Sequence, residues 1–469
     1  MAGLEHDLRR HVETLFPICR SITGPGLRET LRYVAAQIPL ELHEVPTGTK
    51  VLDWEVPREW TPRGAAIRTL DGRTVVDFAN SNLHLLQYSV PVDRTVPRAE
   101  LERHLHSLPD QPDLIPYRTA YYADTWGFCL ADRDRAAMTD QEYRVTVDAD
   151  LGPGSLTYGE CALPGREPGE FLFSIHCCHP SLANDNLSSI AVAIELARAL
   201  TRRGGLRWTY RFVFIPGTIG AITWLAANRD AAARVRHGLV LSCLGDAAPP
   251  TYKQSRRGDA LIDRYVGHVL RQDGHGERVL PFIPYGYDER QYCSPGFNLP
   301  VGCLMRSPNG TFPQYHTSAD DPAFVRDEAM ADSVRTLLRI VDLAEADSTW
   351  INTCPYGEPQ LGRRGLYAKI GGQAAGPGDS ERAFDQLTLL WVLNLCDGQH
   401  SLLDVADRSG KPFLAVAAAA AALREAGLLR CAAQEADQSG EDGRMVSSGT
   451  SARGGRSSAA TTMEAMSSG

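Results

Sequence analysis

Short apolar segments alternate with amphipathic segments of helical period between about residues 170 and 350. FLFSI at 171–175 precedes LSSIAVAIELARALTRR, and TYRFVFI at 209–215 precedes TIGAITWLAANRDAAARV. GLVLSCLG and LPVGCLM precede two further amphipathic segments. Each apolar run predicts a buried strand, and each amphipathic segment predicts a helix. We therefore expect an α/β fold with a mainly parallel sheet that is covered by helices on both faces.

The N-terminal third of the chain contains two segments with different hydrophobic patterns, the first helical and the second mostly β. Residues 1 to about 45 predict two helices from the spacing of their apolar positions. Between 48 and 150, aromatic residues, prolines and short alternating stretches predict a mostly β module. Within it, Asp71-Gly72 marks a hairpin, and RAELERHLHSL predicts one helix.

In the C-terminal part, the pattern of apolar and capping residues predicts a small helical module over 380–430. Ser401 and Asp404 form a capping-box pattern at the start of LLDVADRS, and Gly410 suits the end of that helix. From 431 to 469 the chain contains no Leu, Ile, Phe, Trp or Tyr. Such a segment cannot bury enough apolar surface to offset its ordering entropy, so we expect a disordered tail.

The composition and net charge of the chain argue against several kinds of partner and location. The 469 residues carry a net charge of -9, which argues against a general affinity for nucleic acid or anionic membranes. No apolar run reaches the roughly 18 residues that a membrane helix needs, and the N-terminus lacks the apolar core of a signal peptide. The 11 cysteines are odd in number and lack paired spacing, which predicts free thiols and a cytoplasmic location.

Polar residues follow several of the predicted strands, where an open α/β sheet binds its ligands. His179 and Asp185 follow the first strand, Asp246 follows the third, and a later loop, QYHTSADD, supplies His316. Imidazole and carboxylate are suitable ligands for zinc, and a carboxylate can bridge two ions. The pattern thus predicts His179, Asp185, Asp246 and His316 as ligands, with Asp185 bridging if two ions bind.

Each of these residues also has a structural explanation. Asp185 and Asp246 are suited to cap the helices that follow them, and His179 and His316 to bond backbone groups in loops. Strand alternation places His176 and Cys178 on one face, and for these two residues and Cys177 buried packing is the better explanation.

Longer segments resemble a known family. CHPSLANDNLSS, YGYDERQYCSPGFNLPVG and YHTSADD are similar to a bacterial aminopeptidase-like family that is related to zinc aminopeptidases and glutamate-carboxypeptidase-like proteins. TGTKVLDWEVP and YYADTWGFCL resemble its inserted β module, and WVLNLCDGQHSLLDVADRSG resembles its C-terminal winged-helix module.

The resemblance implies a domain organisation. Residues 1–47 and 151–360 would form a discontinuous aminopeptidase-like α/β domain, with a mostly β module inserted at 48–150. A winged-helix module would occupy 380–430, before the tail at 431–469. Members often occur among genes for surface glycans or natural products.

The resemblance also implies site residues. It supports His179, Asp185, Asp246 and His316 as metal ligands. It places Asp288 and Glu289 in a loop beside the substrate, where Arg290 and Tyr292 are further candidates for substrate binding. A solvated charged loop is the alternative for Asp288-Glu289-Arg290.

One departure from the family concerns catalysis. The family usually reads P-E-T-I-G-S after the second strand, and its glutamate corresponds to a general base or a carboxylate beside the metal. Gly217 stands at that position here. Three accounts remain open: Glu289 takes over as base, one metal supports a different hydrolysis or acyl transfer, or the site only binds. A general base contributes about 10²–10⁴-fold to a rate.

The winged-helix module does not have the composition of a DNA-binding module. It carries five acidic and four basic residues between 384 and 430, and its third helix is nearly all alanine. We expect a role in packing or oligomerisation, and no nucleic-acid partner.

The sequence therefore predicts a zinc-dependent aminopeptidase-like hydrolase of one or two ions. It would act on an amide of a small aminoacylated or peptidyl substrate, with Glu289 as the provisional base. The alternative is a catalytically lapsed binding or scaffold protein that keeps the fold.

Overall fold

The computed structural model describes residues 2–366 and 383–432, so the predicted tail lies almost wholly outside the described residues. The chain divides into two compact units, residues 1–347 and 348–469. Each unit is described by itself below. The boundaries expected near residues 47, 150, 360 and 380 stay predictions.

The described part of the first unit, residues 2–347, contains sixteen strands and ten α-helices. The strands are β1 (Glu41–Pro46), β2 (Lys50–Val51), β3 (Trp54–Glu55), β4 (Glu59–Arg68), β5 (Thr74–Asp77), β6 (Val92–Pro97), β7 (Leu105–His106), β8 (Phe128–Cys129), β9 (Glu142–Gly152), β10 (Ser155–Leu163), β11 (Glu170–His176), β12 (Thr209–Ile215), β13 (Val235–Leu241), β14 (Thr251–Lys253), β15 (Val279–Leu280) and β16 (Val301–Met305). The helices are α1 (Ala2–Leu15), α2 (Pro25–Ala35), α3 (Arg98–Leu101), α4 (Asp132–Ala136), α5 (Ser189–Arg203), α6 (Ile219–Ala227), α7 (Arg229–Arg234), α8 (Leu261–Gln272), α9 (Glu289–Tyr292) and α10 (Asp327–Ala346).

An eight-stranded sheet forms the centre of this unit, in the order β1-β10-β12-β11-β13-β16-β14-β15. The four central strands β12, β11, β13 and β16 are parallel, whereas β1, β10 and β14 join by antiparallel pairs. All seven residues of β11 are buried, as its continuous apolar run predicts. The predicted α/β class with a mainly parallel core is confirmed, and the sheet is mixed towards its edges.

The predicted β-rich segment forms a second, antiparallel sheet in the order β5-β4-β9-β6. Along β9, buried positions alternate with exposed ones, as expected of a sheet with one wet face. The hairpin expected at Asp71-Gly72 joins β4 and β5 and is confirmed.

The prediction of one helix over RAELERHLHSL is mostly wrong. Helix α3 ends at Leu101, a 3-10 turn follows over Glu102–His104, and β7 then pairs with β8. Pairing with residues more than twenty positions away overrides the local helical pattern.

The second unit contains β17 (Thr349–Asn352), α11 (Gln386–Leu395), β18 (Asp397–Ser401), α12 (Leu402–Ser409), α13 (Phe413–Glu425) and β19 (Leu429–Cys431). Strand β17 lies between β18 and β19 in an antiparallel sheet. The predicted capping box is confirmed, because Ser401 N–H donates to Asp404 at 2.7 Å and the Ser401 hydroxyl accepts from Asp404 N–H. Gly410 ends α12 with a φ of 68°.

Within the described residues of both units, none of the helices combines the length and the apolar character that crossing a bilayer requires.

A buried ion network ties the central sheet to its helices. Arg211 on β12 donates from Nε to Glu170 at 2.6 Å and also pairs with Glu160. Glu170 accepts from Arg234 at 2.7 Å, and Trp224 donates to Glu160 at 2.6 Å. Removing one member of such a network leaves an uncompensated buried charge.

Arg211→Leu should therefore lower the free energy of unfolding by about 3 kcal/mol. Arg63→Leu is the matched control, because Arg63 pairs with exposed Asp148 and Asp150, and we expect it to change that free energy by less than about 1 kcal/mol. Urea unfolding followed by fluorescence measures both values. Equal effects of the two substitutions would contradict the network as a source of stability.

Candidate functional site

The site begins with an irregular turn over Ala183–Ser188, between β11 and α5. The Asp320 carboxylate accepts from the N–H groups of Asn184 at 2.6 Å and Asp185 at 3.0 Å. Ala183 N–H donates to the Asp320 carbonyl at 2.8 Å. Burial raises the pKa of Asp320 to about 8. One acidic residue from a distant loop thus holds the turn that presents Asp185.

The Asp185 carboxylate is the centre of the site. It is 1% exposed, and its two oxygens lie 2.7 Å from His176 Nε2 and 3.0 Å from His316 Nε2. Burial alone would raise the pKa of Asp185, but His179 and the bonds to His176 and His316 hold that pKa well below its usual range. Asp185 is therefore a buried carboxylate that three histidines surround.

His176 orients this carboxylate. The Asn186 side-chain NH₂ lies 3.2 Å from His176 Nδ1 and donates to the carbonyls of His176 and Leu241 at 3.1 Å. Because the ionised Asp185 carboxylate can only accept, His176 Nε2 carries a hydrogen and donates it to Asp185. His176 is thus held by Asp185 on one side and lies against Asn186 on the other.

His179 differs from His176 in its hydrogen bonding. Its Nδ1 is buried, has no hydrogen-bond partner among the described residues, and lies 3.8 Å from Asp185 Oδ1. Burial lowers the pKa of His179 to about 3, so the imidazole is neutral. Ligand atoms of His176, His179 and Asp185 lie within 4.8 Å of one another. A neutral imidazole with an unpaired nitrogen beside a carboxylate has the chemistry that a divalent metal requires.

Residues of the inserted segment hold His316 beside this group. His316 has a φ of 56°, and its carbonyl accepts from Tyr117 N–H at 2.8 Å. The Tyr117 ring meets the rings of His179 and His316 edge-on, at centroid distances of 5.0 and 5.1 Å. A tyrosine that the sequence did not single out thus positions both histidines.

Asp246 lies outside this group. Its Oδ1 accepts from Ala248 N–H and Ser307 Oγ at 2.9 Å, and its Oδ2 accepts from Asn184 Nδ2 at 3.0 Å and Ser307 N–H at 3.1 Å. These four hydrogen bonds use both oxygens of the Asp246 carboxylate. Through them, Asp246 joins two loops at the end of the sheet. Its role as a ligand stays a prediction.

Of the four residues predicted around Asp288, two have partners away from the histidines. Glu289 is fully buried and pairs with Lys253. Tyr292 donates to Ser174 Oγ at 2.9 Å. Both Asp288 oxygens are buried without a hydrogen-bond partner in the described part of the chain, and burial together with Glu289 raises the pKa of Asp288 well above its usual value. The roles predicted for these residues and Arg290 stay predictions.

Tyr287 occupies the space opposite Gly217. A Cβ at Gly217 would meet Cε1, Cζ and the hydroxyl oxygen of Tyr287 more closely than real contacts allow. The Tyr287 ring lies 3.8 Å from the His176 ring between centroids, and its hydroxyl lies 3.6 Å from Cys178 Sγ. An aromatic ring thus fills the volume into which a glutamate side chain at 217 would project.

A cleft of about 390 Å³ opens onto this site. Its lining residues are Tyr117, Arg118, Thr119, Tyr121, Cys178, His179, Gly217, Thr218, Tyr287 and His316. None of these ten residues is a carboxylate, and Arg118 is exposed.

Comparison with known proteins identifies the family. Residues 9–347 match the family model described as a domain of unknown function, DUF4910, and residues 348–431 match a winged helix-turn-helix model. The chain belongs to the DUF4910 family. The predicted C-terminal winged-helix module is confirmed.

Relatives of this DUF4910 protein agree with the predicted resemblance. A Clostridium acetobutylicum protein, named as a polysaccharide biosynthesis protein with an aminopeptidase-like domain, is 46% identical over 419 residues, which cover 89% of this chain and 95% of the relative. A crystal structure of a protein named as a peptidase, also from C. acetobutylicum, has a TM-score of 0.85 at 43% identity and covers 91% of this chain and 96% of that one. The predicted aminopeptidase-like family is thus confirmed.

A more distant likeness concerns the fold alone. A zinc aminopeptidase from Bacillus subtilis has a TM-score of 0.54 at 13% identity, over 73% of this chain and 93% of that one. The predicted zinc-peptidase-like α/β fold is confirmed.

Sequence reasoning missed three contributors to the site. His176 was assigned to packing, and Tyr117 and Asp320 were given no role, although Asp320 lies inside a quoted motif. The available signal was the density of polar and aromatic residues at strand ends and in the loops beside them. It could not show which side chains meet.

The contact between residues 217 and 287 generates a stability prediction. Gly217→Ala should lower the free energy of unfolding by about 1–3 kcal/mol, because the new methyl group overlaps the Tyr287 ring. In a double-mutant cycle with Tyr287→Ala, the double variant should be at least about 1 kcal/mol more stable than the sum of the single effects implies. Gly64→Ala is the control, since a Cβ there meets nothing within 4 Å. Additive effects in the cycle would rule out the overlap.

Proposed function

We propose that this protein is a zinc-dependent aminopeptidase-like hydrolase that acts on an amide of a small aminoacylated or peptidyl substrate in glycan biosynthesis. The observation that carries the proposal is the buried, neutral His179, whose unpaired Nδ1 faces the Asp185 carboxylate. The polysaccharide-biosynthesis name of the C. acetobutylicum relative supports the glycan context.

The proposed ligands are His179, Asp185 and His316, and the proposed number of ions is one. Two histidines and a carboxylate with an open fourth position are a common set in catalytic zinc sites. Asp246 is left out because protein hydrogen bonds occupy both of its oxygens. The ring of Tyr287 fills the space beside Gly217 that a carboxylate for a second ion would need.

A zinc ion held there would supply Lewis-acid polarisation of a carbonyl and activation of water. The chain's own residues prepare the site for this chemistry. His176 fixes the orientation of Asp185 through a 2.7 Å bond. The rings of Tyr117 and Tyr287 pack against the histidines, and exposed Arg118 lines the cleft, where it attracts an anionic part of a substrate.

The proposal assigns no base role to Glu289. Its carboxylate is bound by Lys253 and accepts from Tyr287 N–H at 3.1 and 3.2 Å, and it is absent from the residues that line the cleft. A carboxylate held in this way is not free to accept a proton from water.

A second candidate function is a metal-containing binding protein without catalysis. It is favoured by the Tyr287 ring at the position opposite Gly217 and by the lack of a carboxylate among the ten lining residues. The two candidates share the metal and differ in turnover.

The metal proposal predicts the zinc content of the purified protein. After zinc-replete expression, the parent should carry about one equivalent, and His179→Ala should carry less than about a tenth. His237→Ala is the matched control, because His237 is another buried histidine whose pKa burial lowers to about 3, and it packs among Phe171 and Trp208. It should keep its zinc by elemental analysis. An unmetallated parent, or equal losses in both variants, would refute the assigned site.

Turnover of aminoacyl-anilide substrates separates hydrolase from binding protein. Activity in the zinc-loaded parent that His179→Ala abolishes supports the hydrolase. An inactive parent, together with activity in Gly217→Glu/Tyr287→Ala, would show a lapsed site. The second substitution is needed because Tyr287 blocks the glutamate.

Gly217→Gln/Tyr287→Ala is the control for the double variant, since it has the same shape without a carboxylate. A restored general base should raise the rate by about 10²–10⁴-fold over this control. Equal rates in the two double variants would exclude a lost base as the cause of inactivity.

A further inference from the structure

A second cleft, of about 460 Å³, lies in the inserted β region of the first unit. It is lined by Thr47, the segment 53–58, Tyr88, the segment 122–124 and Leu151. All of them except Arg58, Tyr88 and Leu151 belong to TGTKVLDWEVP and YYADTWGFCL, the two segments whose resemblance to a family module the proposed hydrolysis does not use. The fold brings these distant segments together around one concave surface.

Two exposed aromatic rings stand at this cleft. Trp54 is 46% exposed and Tyr122 is 54% exposed, and their ring centroids lie 5.6 Å apart at an interplanar angle of 59°. Below them, Tyr88 is buried, stacks on Trp60 and bonds Thr23 Oγ1 at 2.6 Å. The cleft therefore has a rigid floor and a pair of open aromatic faces, as ligand pockets commonly do.

At or near each exposed ring, one residue has an unfavourable backbone conformation. Leu52, in the two-residue turn between β2 and β3, has a φ of 58°, and Tyr122 has a φ of 66°. Bulky residues rarely adopt the left-handed region, and such strain concentrates at functional sites. Buried Val51 and Val56 anchor the hairpin on either side of Trp54.

The charges at the cleft leave one carboxylate free. Glu55 pairs with Lys50 at 2.5 Å, and Asp124 pairs with Arg58. Asp53 is exposed and has neither a hydrogen bond nor an ion pair in the part of the chain that the structure describes. An uncompensated anion beside two aromatic faces attracts a ligand that is both cationic and able to stack.

We propose that this cleft binds a saccharide that carries a free amino group. The apolar face of a pyranose ring would pack on Trp54 and Tyr122, and its ammonium group would pair with Asp53. The Arg58–Asp124 pair offers a donor and an acceptor for hydroxyl groups. The acidic lining is unfavourable for nucleotides and other anions.

This binding site is separate from the proposed hydrolytic site. Tyr121 lines the cleft at His179, whereas its neighbour Tyr122 lines this one, so the two clefts lie on either side of one segment. Binding here requires no metal and no turnover, and it can be tested without either.

The test is a titration of the full chain with the glucosamine trisaccharide, followed by calorimetry and tryptophan fluorescence. The pH is chosen so that the sugar amines are protonated. We expect saturable binding at least about tenfold tighter than that of cellotriose, a neutral trisaccharide of similar shape. The N-acetylated trisaccharide, which has lost the charge, should resemble cellotriose.

Variants assign the binding to named side chains. Trp54→Ala and Tyr122→Ala should each abolish it, and two independent variants guard against misfolding of either one. Asp53→Asn should reduce glucosamine-trimer affinity to the level of cellotriose and leave cellotriose unchanged. Tyr356→Ala and Asp110→Asn are controls, since Tyr356 is fully exposed and Asp110 is an exposed carboxylate.

Several results would overturn the proposal. These are no saturable binding of the glucosamine trimer, equal or tighter binding of cellotriose, or full binding by Trp54→Ala and Tyr122→Ala. Ethanolamine binding as tightly as the sugar, with the same dependence on Trp54, would overturn the saccharide in favour of a simple amine.

Discussion

The structure around the site depends on one constraint, the burial of the Asp185 carboxylate at the carboxyl ends of parallel strands. A buried charge without partners is very unfavourable, so the surroundings must supply cations or hydrogen-bond donors. His176 and His316 each contact one oxygen, and Asp320 holds the turn through backbone N–H groups. Of the three histidines around Asp185, His179 is the one whose Nδ1 has no hydrogen-bond partner among the described residues.

A family fold does not guarantee a family reaction, because the reaction depends on a few side chains. At Gly217 the side chain expected of a base is missing, and the Tyr287 ring has filled the volume. The ring packs on His176, which orients Asp185. Placing a carboxylate at position 217 therefore requires two coordinated changes.

The inserted region lines a cleft on each side of one short segment. Tyr117 and Tyr121 close the cleft at the histidines, and Tyr122 with Trp54 opens a second cleft. Loops carried by a rigid sheet commonly supply binding residues in this way. The two clefts have different lining charges, with exposed Arg118 at the first and exposed Asp53 at the second.

The sequence by itself determined the buried strand that ends at His176, the α/β order and the family, because hydrophobic periodicity and sequence motifs are local properties. Only the tertiary structure decided that Asp246 bonds Ser307, that Glu289 pairs with Lys253 and that Tyr287 fills the space at Gly217. The direction of a side chain depends on neighbours that are distant in sequence, and no local pattern encodes them. The same reason explains why RAELERHLHSL forms one short helix before β7 pairs with β8.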